Sequence, residues 1–236
     1  MDHFEKACSE RDLSVIEHLL QDPRIDPSAL NNYAIQWASN YGHLTLVERL
    51  LQDPRVDPSA NNNYAIQWAS RNGHLAVVKR LLQDPRVDPS DAIQWTSLNG
   101  HLAVIERLLQ DPRIDPSTEY NYAIQWTSLN GHLAVIERLL QDPRIDPSTE
   151  YNYAIRWAFN YGHITLVERL LKDTRVDPSA NNNQAIQWAS QNGHLSIVER
   201  LLLDKRVLPS PKINFTTHFG ERQGPKIERV YKKIYN

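Results

Sequence analysis

Tryptophan occurs six times in this chain, at positions 37, 68, 95, 126, 157 and 188, and a Gly-His pair begins at 42, 73, 100, 131, 162 and 193. Both series advance by 31, 27, 31, 31 and 31 residues. Two unrelated residue types that keep one step belong to a single recurring unit, so a repeat architecture has to be considered before any other fold. A seventh, degenerate copy opens the chain. In a 31-residue offset Ala7 falls on Ala38, Leu13 on Leu44 and Leu20 on Leu51, with Lys6 where tryptophan would be. Terminal copies of a stack have one side without a neighbour and need a polar surface there, which is how Lys6 reads.

Within one unit, Tyr64 to Asn72 reads as a first helix ended by Gly73, which suits the left-handed conformation that closes a helix. A second helix follows over His74 to Gln83, with Leu75, Val78, Leu81 and Leu82 on one stripe and Lys79 and Arg80 turned away. Asp84-Pro85 stops it, because the residue before proline is pushed out of the α region. The connector Arg86-Val87-Asp88-Pro89-Ser90 sets one apolar anchor among turn formers. No segment alternates with period two for long enough to make a strand.

The unit Ala-Ile-Gln-Trp-Ala-Ser-x-x-Gly-His-Leu-x-x-Val-x-x-Leu-Leu resembles the ankyrin repeat, and its connector Asp-Pro-Arg-Val-Asp-Pro-Ser resembles a variant seen in amoebae and in large DNA viruses that infect them. The likeness covers residues 1 to about 208. It implies an all-α, ankyrin-type repeat solenoid of seven helix-turn-helix units with short fingers and a C-terminal capping segment: a degenerate N-terminal cap over 1–28, six further units to 208, and a basic segment over 209–236. Units of 31 residues are shorter than the family's, so the finger between them is expected to lack a paired hairpin. The family's Thr-Pro-Leu-His signature is replaced by Tyr-Ala-Ile-Gln, as at Tyr33 to Gln36, so the hydrogen bonds of that histidine fall to glutamine or are lost.

Each periodic residue has a structural reading. The tryptophans follow the helix-1 isoleucine by two positions, roughly opposite it on the helical wheel, and are assigned to the core between units. Phe159, where other units carry serine, reads as a local packing variation. The Gly-His histidines are too far apart to share a metal ion, whose ligands lie about 2 Å from it, and are assigned to hydrogen bonding around the turn. The connector arginines, such as Arg55 between Asp53 and Asp57, are flanked by carboxylates and read as locally neutralised. Residues 92–124 and 123–155 are identical over 33 positions, and a catalytic centre built from unique residues fits poorly with parts that are copied whole. No enzyme activity, catalytic residue, metal or cofactor is expected.

The resemblance instead implies a scaffold that binds a protein partner on a curved palm lined by fingers and first helices. Its contact positions, the two residues before Gly-His and the finger, correspond here to Asn40 and Tyr41, Arg71 and Asn72, Leu98 and Asn99, Leu129 and Asn130, Asn160 and Tyr161, and Gln191 and Asn192. Glu119-Tyr120 and Glu150-Tyr151 of the central fingers join them. The second reading is an adaptor, viral or host-directed, that brings bound proteins to a ubiquitin ligase or another effector through the C-terminal segment.

Where the step shrinks to 27, Pro89-Ser90-Asp91-Ala92 lacks four residues of the finger and helix start, which predicts a shortened first helix capped by Asp91 in a continuous stack. After residue 208, Pro225 begins a predicted short amphipathic helix to Tyr235, with Ile227, Val230, Tyr231 and Ile234 on one side. The formal charge of −2 combines this segment, with six Lys/Arg against two Glu, and an array with 20 basic against 26 acidic residues. An acidic array gives no field to hold a nucleic-acid backbone, so no nucleic acid is expected as a partner. One cysteine, no apolar run of about 18 residues and no basic-then-apolar start lead to the expectation of a monomeric protein of the cytoplasm, the host's if the chain is viral, with no membrane span.

Overall fold

The computed structural model describes residues 3–10, 12–207 and 215–235. Among them every regular element is a helix, and the helices come in short pairs. These are α1 (His3–Glu10) with α2 (Leu13–Leu19), α3 (Ala29–Asn40) with α4 (Leu44–Leu50), α5 (Ala60–Arg71) with α6 (Leu75–Leu81), and α7 (Ala92–Asn99) with α8 (Leu102–Leu108). Then follow α9 (Thr118–Asn130) with α10 (Leu133–Leu139), α11 (Thr149–Tyr161) with α12 (Ile164–Leu171), α13 (Ala180–Gln191) with α14 (Leu195–Leu202), and the single helix α15 (Phe215–Tyr235). This is the all-helical repeat solenoid expected from the sequence.

The chain divides into two compact bodies, residues 1–115 and 116–236. In the first, α1 lies against α3, α3 against α5 and α5 against α7, with α4, α6 and α8 stacked in the same order. In the second, α11 lies between α9 and α13, α12 between α10 and α14, and α15 covers both α13 and α14. The fully buried residues are the first-helix isoleucines Ile35, Ile66, Ile93, Ile124 and Ile155, together with second-helix pairs such as Val78 and Leu81. In α6 the buried stripe includes Val77, while Leu75 is half-buried at its rim. Lys6 is exposed and Phe4, Ala7 and Ile16 are buried, so the degenerate first pair keeps its inner side apolar.

Three devices tie one pair to the next. Glycine is needed twice over at the turn. Gly73 has φ +76°, and a Cβ there would stand 2.6 Å from Nδ1 of His101 in the following unit. Histidine is the second device. It occupies the N-cap position of its helix without capping it, and its ring reaches back instead: His74 Nε2 lies 2.9 Å from the Asn40 carbonyl oxygen, His101 Nε2 2.9 Å from that of Arg71, and His163 Nε2 3.0 Å from that of Leu129. The predicted hydrogen-bonding role holds, but it joins neighbouring units rather than closing one turn.

Arginine is the third. Arg86 donates to both Asp84 oxygens, Nε to Oδ1 at 2.9 Å and Nη2 to Oδ2 at 2.7 Å, and its Nη1 donates to the Val56 carbonyl of the preceding connector at 2.8 Å. Arg113, Arg175 and Arg206 repeat the pattern onto Val87, Ile145 and Val176. Of the two flanking carboxylates the upstream one forms the ion pair, and the aspartate of the preceding connector adds to it, as Asp57 does for Arg86. The downstream aspartate turns away, as when Asp57 Oδ1 accepts from the backbone N–H and hydroxyl of Ser59 at 2.9 and 2.6 Å. Hydrogen bonding from arginine holds Asp84, Asp111, Asp142, Asp173 and Asp204 below the usual carboxylate range, partly opposed by burial.

Two local expectations need correction. The shortened helix α7 is present and packs on α5, but Asp91 sits at its N-cap position with φ −84° and ψ −11° and makes no side-chain cap. Capping requires extended backbone at that residue, and Asp91 is already helical. The C-terminal helix starts at Phe215, ten residues before Pro225, which lies inside it. Ile227 is fully buried, whereas Lys226, Arg229, Lys232 and Lys233 stay exposed. No described helix is long and apolar enough to cross a membrane.

Candidate functional site

The tryptophans are not the core between units. Only Trp37 is buried, at 6% exposure, beneath the rings of Tyr41 and His43 with centroids 5.4 and 4.9 Å away. Trp68 and Trp126 are 36% and 37% exposed, and Trp95, Trp157 and Trp188 are half-buried. The cause is angular. Two residues after isoleucine is about 200° around a helix, so a fully buried Ile66 turned toward the second helix sends Trp68 to the open side of the pair. In each body the first helices therefore turn indoles toward solvent, site residues that the sequence assigns to packing.

The finger that precedes every tryptophan except Trp95 is an unusual backbone. Leu30, Asn31 and Asn32, and again Asn61, Asn62 and Asn63, all have φ between 55° and 64°. Glu119 and Asn121, Glu150 and Asn152, and Asn181 and Asn183 also lie in this left-handed region. Asparagine enters it most readily among residues with a side chain, which accounts for the Asn-rich fingers; Leu30, Glu119 and Glu150 are strained there. The last asparagine of each turn makes the conformation useful. Asn32 Oδ1 accepts from the Asp57 N–H at 2.7 Å, Asn63 from Asp88 at 2.8 Å and Asn152 from Asp177 at 2.8 Å, each clamping the next connector. No hairpin strand occurs among the described residues. The glutamine in place of the family's histidine is hydrogen-bonded to its own finger: Gln36 Nε2 donates to the Asn31 carbonyl and Gln67 Nε2 to that of Asn62, both at 2.8 Å.

Three hollows lie between neighbouring indoles. One is lined by Tyr33, Gln36, Trp37, Asn40, Tyr41 and Trp68. In the second, lined by Tyr64, Gln67, Trp68 and Trp95, the Arg71 guanidinium lies 5.0 Å from the Trp68 ring centre and 5.4 Å from that of Trp95, leaving about 110 Å³. In the third, Tyr122, Gln125, Trp126, Leu129, Tyr153 and Trp157 surround about 400 Å³. On the next unit Arg156 replaces the usual glutamine and lies between Tyr153 and Trp188, 4.7 and 4.6 Å from the two ring centres. Burial lowers its pKa from the ordinary arginine value, opposed by Tyr153. Its Nη2 donates to Gln184 Oε1 at 2.6 Å.

The sequence-derived contact positions separate into groups. Tyr41 and Tyr161 are exposed beside Trp37 and Trp157, and Glu119, Glu150 and Gln191 are exposed. Leu129 joins the third hollow and Arg71 fills the second. The asparagines are partly spent on structure. Asn72 Nδ2 donates to Asn40 Oδ1 at 2.7 Å and Asn192 Nδ2 to Asn160 Oδ1 at 2.9 Å, while Asn99 and Asn130 fold back on the carbonyls of Trp95 and Trp126. Leu98 is half-buried. The side chains of Tyr120 and Tyr151 lie outside the described residues. Tyr122 and Tyr153, absent from that set, are the tyrosines that line a hollow.

A family model described as ankyrin repeats, in three copies, matches residues 4–93 and 122–214. Among solved structures, the crystal structure of the human ASB11 ankyrin repeat domain is similar in fold, with a TM-score of 0.68 at 16% identity, covering 86% of this chain and 97% of that one. No curated protein matches the chain.

Proposed function

The chain belongs to the ankyrin-repeat family, generally protein-protein interaction modules, and from that premise we propose that it is a scaffold binding a protein partner on its first-helix and finger face, the concave side in the family. The observation that carries the reading is the part-exposed tryptophans of the first helices, with Tyr122 and Tyr153 beside Trp126 and Trp157. Large amphipathic rings with few rotatable bonds bury much area at low entropy cost, and they dominate binding energy where proteins meet. The opposite face carries exposed charges such as Glu106 and Glu137, a solvated surface.

In this proposal residues 1–208 are the binding array and 209–236 a segment that closes it, in keeping with the packing of α15 on α13 and α14. The protein acts as a monomer in the cytoplasm, without nucleic acid and without catalysis. The connector's resemblance to a variant seen in amoebae and their large viruses makes a host-directed adaptor the second reading, favoured by the exposed cations of α15. The test is affinity purification of the full chain with mass spectrometry, followed by titration of the partner. Trp126→Ala with Trp157→Ala weakens that partner at least about tenfold, roughly 1.4 kcal/mol, and Glu106→Ala with Glu137→Ala leaves it unchanged. Equal loss from both pairs would remove the assignment to this face. Ligase subunits lost only on deleting 209–236 would favour the adaptor.

A further inference from the structure

We propose that the hollow between Trp126 and Trp157 is a receptor for an arginine side chain carried by the partner; this rests on the scaffold reading and names what that face takes. The molecule itself shows which group suits such a hollow. Where Trp68 faces Trp95, the space between the indoles is taken by the guanidinium of Arg71, and where Tyr153 faces Trp188 it is taken by that of Arg156. A planar, weakly hydrated cation stacks on ring faces and is drawn by their negative centres, which a compact ammonium does less well. Between Trp126 and Trp157 the equivalent position holds Leu129, which brings no charge, and about 400 Å³ stays open among four rings.

The charge around it agrees. Glu119 and Glu150, three residues before Tyr122 and Tyr153, are both exposed, while Arg156 brings one positive charge to the far partner of Tyr153. Two carboxylates against one guanidinium leave the surroundings net negative, a field that favours a cation. A guanidinium entering from outside thus makes at Trp126 and Trp157 the ring–cation–ring contact that the chain makes from within at Trp68 and Trp95 and at Tyr153 and Trp188.

The test uses the full chain and the tripeptide acetyl-Gly-Arg-Gly-amide, with the Arg replaced in turn by citrulline, Lys, trimethyl-Lys or Leu. Binding is followed through the indole N–H resonances of the six tryptophans. The arginine peptide binds one site, shifts the signals of Trp126 and Trp157, and binds at least about fivefold tighter than the citrulline peptide, which has the same shape without the charge. Leu129→Arg, which supplies the internal guanidinium, removes this binding. Arg71→Leu opens the hollow at Trp68 and Trp95 and raises the number of sites to two. Should Leu129→Arg fail to keep the helical content and melting behaviour of the parent, Trp126→Leu carries the same test. Equal affinity for citrulline, tighter binding of either lysine peptide, or shifts confined to other indoles overturns the proposal. A protein partner that binds Leu129→Arg as tightly as the parent but is lost with Trp126→Ala and Trp157→Ala overturns it too, while leaving the scaffold reading intact.

Discussion

Two hollows on the first-helix side are framed by the same pair of side chains and differ in what stands between them. At Trp68 and Trp95 the residue three positions after the first indole is Arg71, and its guanidinium closes the gap to about 110 Å³; at Trp126 and Trp157 that residue is Leu129, and about 400 Å³ remains. A spacing of three puts both side chains on one side of a helix, so a single register position decides whether the hollow is filled. The second difference lies upstream. The unit of Trp95 lacks four finger residues and so has no tyrosine, whereas the unit of Trp157 brings Tyr153 as a further wall. Residues 92–124 and 123–155 have identical sequences, yet the first copy follows Asp91 and the second follows a finger ending in Tyr122. Copying a unit therefore does not copy its surface, because each hollow is made by two neighbours.

The largest effects separate what holds each region together from what it displays. Ile66→Ala and Ile124→Ala leave cavities in fully buried positions and each costs about 2–5 kcal/mol, seen as a lowered melting temperature. Trp68→Ala and Trp126→Ala, more than a third exposed, each cost roughly 1 kcal/mol. A tryptophan substitution as damaging as the isoleucine one would return the indoles to the core.

That distinction was available in the sequence only in part. The step of the Gly-His pairs, the buried isoleucines and the prolines that end each second helix follow from local physics that any copy of the unit carries. The orientation of tryptophan was legible too, since it stands about 200° from isoleucine and Lys6 holds the same register in the first pair. A stacked first helix has a neighbour on each side, which makes burial between units look equally natural. The second helix lies behind it as well, so the fourth side is the open one. The left-handed finger was hidden for another reason. Asparagine runs signal turns in general, but the reward for three successive left-handed residues is a hydrogen bond that Asn32 Oδ1 accepts from the N–H of Asp57, 25 positions away in the next unit. Neither residue predicts that contact alone.

Next in size come the turns, and here the two regions should respond alike. Gly73→Ala and Gly131→Ala each place a Cβ 2.6 Å from a ring nitrogen, of His101 and His163, at φ +76° and +75°. Each costs about 1–3 kcal/mol. In the first region, His101→Ala in the Gly73→Ala background recovers the steric part and leaves the dihedral strain, so the double variant melts above the sum of the singles. Strict additivity would show that the glycine serves only its backbone angle.

Acid gives a smaller effect, shared by both bodies. Asp111 in the first and Asp173 in the second are held below the usual carboxylate range by hydrogen bonds from Arg113 and Arg175. A carboxyl lowered in the folded state contributes stability that is fully present above the unfolded value near about 4 and lost as pH falls through the folded value. Melting temperature should therefore be level near neutrality and fall below about pH 4. Asp111→Asn, which costs about 1 kcal/mol or less at pH 7, flattens that fall; an unchanged acid profile would mean that other carboxylates govern it.

The smallest and most specific effect is an exchange of the two register residues. Arg71→Leu removes two ring contacts of a part-exposed cation, about 0.5–1 kcal/mol in all, and Leu129→Arg adds them at the other hollow for a similar gain. The signs are opposite, so the double variant melts close to the parent while its open hollow moves from Trp126 and Trp157 to Trp68 and Trp95. At physiological ionic strength these differences should be nearly unscreened, since attraction to a ring at about 5 Å acts inside a screening length of roughly 8 Å, and they should shrink near 1 M salt, where that length falls to roughly 3 Å. If both single variants destabilise, Leu129 is held by packing that arginine cannot replace, and the two hollows are not interchangeable sites with different occupants.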